Sequence, residues 1–209
     1  MRQQHTLKIS EIFASVQGEG LRLGEATLFI RLSGCNLQCP FCDTKYAWEK
    51  GDQMSVEQII DQVKQLRGRF AAEWVCLTGG EPLIQDIENL ALRLKVEHLK
   101  IQVETNGTIY RALPVDWYTV SPKPEKYQFQ PEYKTKAREV KLVVEKNLDF
   151  EIIQNLREAF PNKIPILLQP ESNLEWSMLK AYDLLKRAVN TGKKNIRLSL
   201  QLHKIFRLQ

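Results

Sequence analysis

Residues 28–42 read LFIRLSGCNLQCPFC, an apolar run that passes without interruption into a loop with three cysteines. The run from Leu28 to Leu32 predicts a buried β-strand. The loop that follows carries Cys35, Cys39 and Cys42, with three residues between the first two and two residues between the last two. Functional residues of α/β proteins gather on loops at the carboxyl ends of parallel strands, so this loop is the first candidate for a functional site.

The rest of the chain repeats the alternation of strand and helix. One helix is predicted to start after Ser55, with Gln58 at the capping-box position. Strands that alternate with helices pair in parallel through right-handed crossovers. The predicted strands are 28–32, 74–78, 100–104, 118–120, 140–144, 164–169 and 196–200, and the predicted helices are 56–63, 87–94, 150–160 and 175–189.

The length argues against one of the α/β architectures, the closed eightfold barrel. The chain has 209 residues, fewer than the ~250 of a closed eightfold barrel. We therefore predict an α/β fold in which parallel strands and crossover helices form a partial, open TIM-like barrel, with a doubly wound sheet as the alternative. We expect residues 1–209 to be one domain, residues 125–138 to be a loop or insertion, and the end of the chain to be an irregular tail.

The composition excludes several classes of protein. With 43% hydrophobic and 26% charged residues, the chain is neither disordered nor fibrous, and we see no apolar run long enough for a membrane span. The net charge is +5, but the basic residues are scattered, so we expect no direct nucleic-acid binding. The polar N-terminus shows no signal peptide, which favours the cytoplasm.

The cysteine count limits the chemistry of the loop. A closed structural zinc site and a protein-held electron-transfer cluster both need four protein ligands. The fourth cysteine, Cys76, alternates with Val75 and Leu77 in a predicted strand and is expected to be a small core residue. Three thiolates can instead hold three irons of a [4Fe-4S] cluster, which leaves the fourth iron open to a ligand from outside the protein.

The C-x3-C-x2-C loop resembles the signature of the radical SAM superfamily, and residues 78–82, TGGEP, resemble that superfamily's GGEP loop. The resemblance implies a [4Fe-4S] cluster on Cys35, Cys39 and Cys42, with S-adenosylmethionine (SAM) on the open iron. It also implies reductive cleavage of SAM to a 5′-deoxyadenosyl radical, with an electron from a flavodoxin or ferredoxin. The radical performs the chemistry, so no catalytic side chain is assigned beyond it.

Further segments are similar to those of the 7-carboxy-7-deazaguanine synthase family. They are residues 11–20 (EIFASVQGEG), 29–36 (FIRLSGCN), 42–48 (CDTKYAW), 104–107 (ETNG), 121–123 (SPK), 169–170 (QP) and 199–204 (SLQLHK). The resemblance implies radical ring contraction of 6-carboxy-5,6,7,8-tetrahydropterin to 7-carboxy-7-deazaguanine with loss of ammonia, a step towards queuosine and other 7-deazapurines. It also implies reuse of SAM, a requirement for Mg²⁺ and a homodimer.

The same resemblance assigns roles to individual residues. Val16, Gln17, Gly18, Arg31, Thr78 and Gln209 would bind the pterin, Thr44 would bind Mg²⁺, and Gly80, Ser121, Pro122, Lys123, Gln169, Pro170, Glu171 and Ser172 would hold SAM.

Three of these assignments have structural alternatives. Gln17 is otherwise a surface turn residue, and Thr44 is otherwise a helix N-cap. Arg31 lies within an apolar strand, where an unpaired charge is costly, so it either clamps the substrate carboxylate or pairs with a carboxylate of the protein. The roles of Glu104 and His203 stay open.

Two other functions compete with this interpretation. A glycyl-radical activating enzyme also cleaves SAM, but it would act on a protein and would have no use for the Gln17 loop or Arg31. A cluster carrier or tRNA-binding protein would have no use for residues 78–82.

Overall fold

The computed structural model describes residues 6–209, and the first five residues, which belong to the N-terminal segment examined for a signal peptide, lie outside the described residues. The strands are β1 (Thr6–Val16), β2 (Ala26–Leu32), β3 (Asp52–Ser55), β4 (Trp74–Gly79), β5 (Lys100–Thr105), β6 (Trp117–Val120), β7 (Ala137–Val144), β8 (Ile166–Pro170) and β9 (Ile196–Leu198). The helices are α1 (Val56–Arg67), α2 (Glu88–Val96), α3 (Tyr133–Lys136), α4 (Phe150–Ala159), α5 (Glu175–Asn190) and α6 (Leu202–Phe206).

The strands form one sheet in the order β3-β1-β2-β4-β5-β6-β7-β8-β9. From β2 to β9 every neighbour pairs in parallel, and the spatial order follows the order along the chain. A doubly wound sheet reverses its strand order at a switch point, and the parallel part of this sheet, from β2 to β9, has no reversal. The structure therefore confirms the open, barrel-like arrangement and excludes the doubly wound alternative.

One edge of the sheet has two antiparallel strand pairings, which the prediction of a parallel sheet did not include. β1 pairs antiparallel with β2 on one side and with β3 on the other. The connection from β1 to β2 is too short for a crossover helix, and antiparallel strands need none. This edge brings the segment 16–18 and Glu11 beside the strand that carries Arg31.

The helices follow from amphipathic patterns with defined ends. Ser55 caps α1 through a capping box, because its hydroxyl accepts from the Gln58 amide and the Gln58 side chain accepts from the Ser55 amide. Ile59, Ile60 and Val63 of this helix are buried against the sheet. Over the described part of the chain, none of the helices combines the length and apolar character needed to cross a bilayer.

Two segments that were predicted to be irregular contain regular secondary structure. The segment 125–138 includes α3 and the start of β7, and Tyr133 anchors it with a fully buried ring whose hydroxyl donates to the Ile109 carbonyl (2.7 Å). The tail after residue 200 forms α6, whose Leu202 amide donates to the Gly18 carbonyl (2.8 Å). Both segments are ordered by contacts with distant loops, which local sequence patterns do not encode.

Candidate active site

A cleft opens at the carboxyl ends of the parallel strands, where the loops after β2, β4, β5, β6, β7 and β8 meet. All but one of the residues selected from the sequence line it. Those residues are Val16, Gln17, Gly18, Arg31, Cys35, Cys39, Cys42, Thr44, Thr78, Gly80, Ser121, Lys123, Gln169, Pro170, Glu171, Ser172 and Gln209. The exception is Pro122, which does not reach the cleft surface.

The cysteine loop presents three free, half-buried thiols to this cleft. Among residues 6–209, no three His, Cys, Asp or Glu side chains are grouped to hold a single metal ion. The [4Fe-4S] cluster expected from the sequence needs only one thiolate for each of three irons. Burial raises the pKa of Cys39, and the ammonium of Lys123 opposes this shift. Cys76 is fully buried, as predicted for a core residue.

Two glycines let the turn after β4 lie directly against the start of the cysteine loop. The Gly80 amide donates to the Leu32 carbonyl (3.1 Å), and the Glu81 amide donates to the Gly34 carbonyl (2.8 Å). A Cβ on Gly80 would stand 2.7 Å from the Gly34 carbonyl carbon and 2.9 Å from the Cys35 Cβ. The turn thus offers a narrow backbone cradle beside the cysteines, which a side chain would fill.

Glu81 joins this turn to the loop after β5. Its fully buried carboxylate accepts from the Leu83 amide (3.1 Å), the Thr105 hydroxyl (2.9 Å) and the Asn106 amide (2.6 Å). Burial raises the pKa of Glu81 to about 7, although these donors lower it. The side chain holds two loops together and does not face an open part of the cleft.

The opposite wall of the cleft carries the residues expected to bind the substrate. Gln17 is 2% exposed, so it is not a surface turn residue. Its amide donates to Gln102 (3.0 Å) and Glu104 (3.2 Å), and its Oε1 accepts from the Glu19 amide (3.2 Å). The rings of Phe13 and Phe29 line the cleft and stack with centroids 4.9 Å apart and planes 9° from parallel.

Arg31 lies between this wall and a carboxylate of the protein. Its Nε donates to Glu11 (2.6 Å), which also accepts from the Tyr46 hydroxyl (2.6 Å) and the Gln209 amide (3.2 Å). The structural alternative for Arg31 is therefore present, and the guanidinium lines the cleft at the same time. Within residues 6–209 its hydrogen bond uses Nε, and this leaves the two terminal nitrogens to face a ligand.

A buried ion cluster at the base of the cleft was missed from the sequence. The Lys141 ammonium pairs with Glu19 and, at 3.5 Å, with Glu104. Burial lowers the pKa of Lys141, but the carboxylates of Glu104 and Glu19 outweigh it and hold this pKa above its ordinary value. The signal was available, because Lys141 interrupts the apolar strand Val140–Val144 just as Arg31 interrupts β2.

The residues next to Thr44 form a second polar group. Thr44 stands at the N-cap position of a short 3-10 helix (Lys45–Trp48), as the structural alternative expects, but its hydroxyl donates to Asp43 (3.0 Å) and makes no capping bond to that helix. Asp43 also pairs with Lys204 (2.7 Å) and accepts from the Gln201 amide (3.0 Å). Burial raises the pKa of Asp43, but Lys204 and Gln201 outweigh it and hold that pKa well below its usual range. Asp43 is ionised, and it ties the C-terminal segment to the cysteine loop.

The remaining side of the cleft carries the residues expected at SAM. Lys123 donates to the Ser121 hydroxyl (2.5 Å), and burial together with Lys141 lowers the pKa of Lys123. The side-chain oxygen of Gln169 is buried and has no hydrogen-bond partner in the described part of the chain, residues 6–209. Ser172 adopts a positive φ of 51° and accepts from Lys204 (2.8 Å), so the turn after β8 is fixed by the C-terminal helix.

Comparisons with known proteins show the family to which the chain is similar. A family model described as the Radical SAM superfamily matches residues 29–185. A 7-carboxy-7-deazaguanine synthase of Rickettsia prowazekii (strain Madrid E) is 34% identical over 97% of this chain and 89% of its own length. The synthase of Aquifex aeolicus (strain VF5) is also 34% identical, over 100% of this chain and 98% of its own. A crystal structure of QueE from Escherichia coli matches with a TM-score of 0.78 at 30% identity, over 95% of both chains.

Proposed function

The chain belongs to the 7-carboxy-7-deazaguanine synthase family of the radical SAM superfamily, and from this premise we propose how its own residues serve the reaction. The enzyme is a lyase that converts 6-carboxy-5,6,7,8-tetrahydropterin to 7-carboxy-7-deazaguanine. The product is lighter than the substrate by one ammonia, so the conversion is redox-neutral. The observation that carries the proposal is one cleft that joins three half-buried thiols to buried Gln17 and half-buried Arg31.

The cysteine loop fits the cluster that the family requires. Cys35, Cys39 and Cys42 would each hold one iron, and the cradle formed by Gly79 and Gly80 lies directly beside them. When bound, the cluster and SAM supply a 5′-deoxyadenosyl radical that removes a hydrogen atom from the substrate and later returns it. The Lys123 ammonium would stabilise negative charge beside Cys39.

The residues proposed to hold SAM lie at the ends of three alternate strands, β4, β6 and β8. Gly80 offers backbone, Ser121 and Lys123 offer donors, and Gln169 has a buried side-chain oxygen that lacks a partner among residues 6–209. Pro122 would shape the turn between Ser121 and Lys123 without contact. The turn formed by Pro170, Glu171 and Ser172 lines the same side of the cleft.

The wall opposite the cysteines would bind the pterin. The stacked Phe13 and Phe29 rings offer an apolar face for a flat heterocycle. The terminal nitrogens of Arg31 would clamp the substrate carboxylate, since a guanidinium and a carboxylate make a strong paired contact. Val16, Gln17, Gly18 and Thr78 would contact the donor and acceptor edge of the ring, and Gln209 would close the site from the C-terminus.

Several finer features belong to the proposal. Thr44 would contribute a hydroxyl to Mg²⁺, which usually keeps waters and takes substrate oxygens in addition to few protein ligands. Asp43, ionised beside it, would attract the cation. We also propose one radical SAM core domain, a homodimer, a flavodoxin or ferredoxin as the electron donor and a cytoplasmic location, where thiols stay reduced.

The test is anaerobic turnover of the protein with iron and sulfide restored, in the presence of SAM, reductant, Mg²⁺ and 6-carboxytetrahydropterin. We expect a product lighter by one ammonia in the mass spectrum, with SAM not consumed in proportion. Arg31→Gln is expected to raise the substrate KM by about 100-fold, the effect of two lost charge-assisted bonds, while iron content stays unchanged. Release of deoxyadenosine without this product would refute the substrate assignment.

A further inference from the structure

Three side chains close a ring of hydrogen bonds between the cysteine loop and the loop after β5. Asn106 Nδ2 donates to Asn36 Oδ1 (2.9 Å), and Asn36 Nδ2 donates to Thr108 Oγ1 (2.9 Å). Thr108 Oγ1 in turn donates to Asn106 Oδ1 (2.6 Å). We call Asn36, Asn106 and Thr108 the amide ring.

The direction of every bond in the amide ring is fixed by the backbone. The Thr108 amide, which can only donate, gives its hydrogen to Asn106 Oδ1 (2.9 Å). The other end of the Asn106 side chain is therefore the donor, and Asn36 must accept with its oxygen. This leaves the Asn36 nitrogen to donate to Thr108, so no member can be turned round without breaking a bond.

The amide ring joins the two halves of the reaction site. Asn36 follows the first cluster cysteine, whereas Asn106 is two residues beyond Glu104, which contacts Gln17 on the substrate wall. The turn after β4 is attached to the cysteine loop separately, through Gly80 and Glu81. The Glu81 carboxylate also ties Thr105 and Asn106 to that turn, so loss of the amide ring would remove the direct side-chain link between the two loops and leave the proposed SAM cradle in place.

We propose that Asn36 and Asn106 are positioning residues that hold the substrate wall in register with the cluster loop. This inference rests on the proposed function, because it assumes that a radical formed at the cysteine side must reach a substrate held at the Glu104 side. Its specific consequence is uncoupling. Without the amide ring, SAM is still bound and cleaved, but a larger share of the radicals takes an electron and a proton from the reductant and solvent instead of a hydrogen atom from the substrate, and ends as free 5′-deoxyadenosine.

The experiment compares Asn36→Ala, Asn106→Ala and the double variant with the wild type. We expect the ratio of 5′-deoxyadenosine to deazaguanine product to rise at least threefold in each single variant. The half-saturating SAM concentration, read from the change in the electron paramagnetic resonance spectrum of the reduced cluster, is expected to stay within twofold. The double variant should add little to either single one, since one ring is broken in all three.

Two further variants separate positioning from general damage. Asn36→Asp keeps the acceptor for Asn106 and loses only the donor to Thr108, so it should recover part of the coupling. Gln38→Asn lies in the same loop and tolerates the positive φ of 50° at that position, so it should behave as the wild type.

Hydrogen exchange of the reconstituted protein tests the inference without turnover. Peptides that cover residues 35–39 and 104–108 are expected to exchange faster in both alanine variants, while residues 79–83 stay as protected as in the wild type. Unchanged exchange, a wild-type product ratio or loss of the cluster in both variants would each overturn the positioning role. If the wild type makes no deazaguanine, the proposed function fails, and the exchange data still decide the role of the ring.

Discussion

Replacement of Gly80 by alanine tests the close contact between the turn after β4 and the cysteine loop. The new Cβ would lie 2.7 Å from the Gly34 carbonyl carbon and 2.9 Å from the Cys35 Cβ, both shorter than ordinary van der Waals contact. The carbonyl belongs to backbone that is itself bonded to the Glu81 amide, so it cannot move without loss of that bond. Overpacking of this kind lowers the free energy of unfolding by about 1–3 kcal/mol. Because the neighbouring backbone is rigid, we expect Gly80→Ala to lie near the upper end of this range.

Urea unfolding of the cluster-free protein measures this cost. With a urea m value of about 3 kcal/mol/M, a loss of about 3 kcal/mol lowers the unfolding midpoint by about 1 M. Gly68→Ala is the matched control, because its Cβ would meet nothing closer than 3.5 Å and its φ of −63° suits alanine. This control is expected to keep or slightly raise the midpoint.

The two glycine variants also differ in their effect on the cluster. Gly80→Ala pushes against Cys35 and should lower iron incorporation, whereas Gly68→Ala should load normally. If both variants have the same midpoint and iron content, the close contact described for Gly80 does not exist in the folded protein.

Three further perturbations follow from the buried charges and the loop beside them. Lys141→Met leaves the carboxylates of Glu19 and Glu104 without their cation and should lower the free energy of unfolding, measured in urea, by about 3 kcal/mol. The control is Lys186→Met at the surface, and an effect of Lys141→Met no larger than that of the control would contradict a buried ion cluster. Burial raises the pKa of Glu81 from 4.5 to about 7, so between these pH values the unfolded chain binds fewer protons than the folded one, and the free energy of unfolding falls as the pH rises. The total fall is about 3 kcal/mol. Glu81→Gln should remove this pH dependence, and an unchanged dependence would refute the assignment. Thr44→Val should raise the Mg²⁺ concentration needed for half-maximal turnover about tenfold, whereas Thr44→Ser should leave it unchanged. Equal responses of the two variants to Mg²⁺ would exclude the hydroxyl as a ligand.

Much of the site was predictable because its residues break local rules. Arg31 stands in an apolar strand, three cysteines share one short loop, and Gly79 and Gly80 end a strand together. Each is unfavourable or unusual unless a ligand or a close contact requires it, and the structure brings all of them to one cleft.

The less visible residues are ordinary in the sequence and special only in their surroundings. Glu19, Asp43 and Gln201 are common surface types, and only the fold brings their side chains into contact, with Gln201 bonded to both carboxylates. Asn36 and Asn106 are 70 residues apart, and their bond depends on the loops after β2 and β5, two strands that β4 separates in the sheet.

The parallel strand-and-helix fold could be read from the sequence, because periodicity and capping act over a few residues, and the chemistry of the cysteine loop followed from its resemblance to a known superfamily. The folded chain was needed to show that Arg31 shares its guanidinium with Glu11, that Glu81 faces the loop after β5, and that residues near the C-terminus form a helix over the Gly18 loop. These contacts join residues far apart along the chain. The partner of a buried charge or amide depends on which strand ends lie close together, and this is fixed only when the strands pair into the sheet.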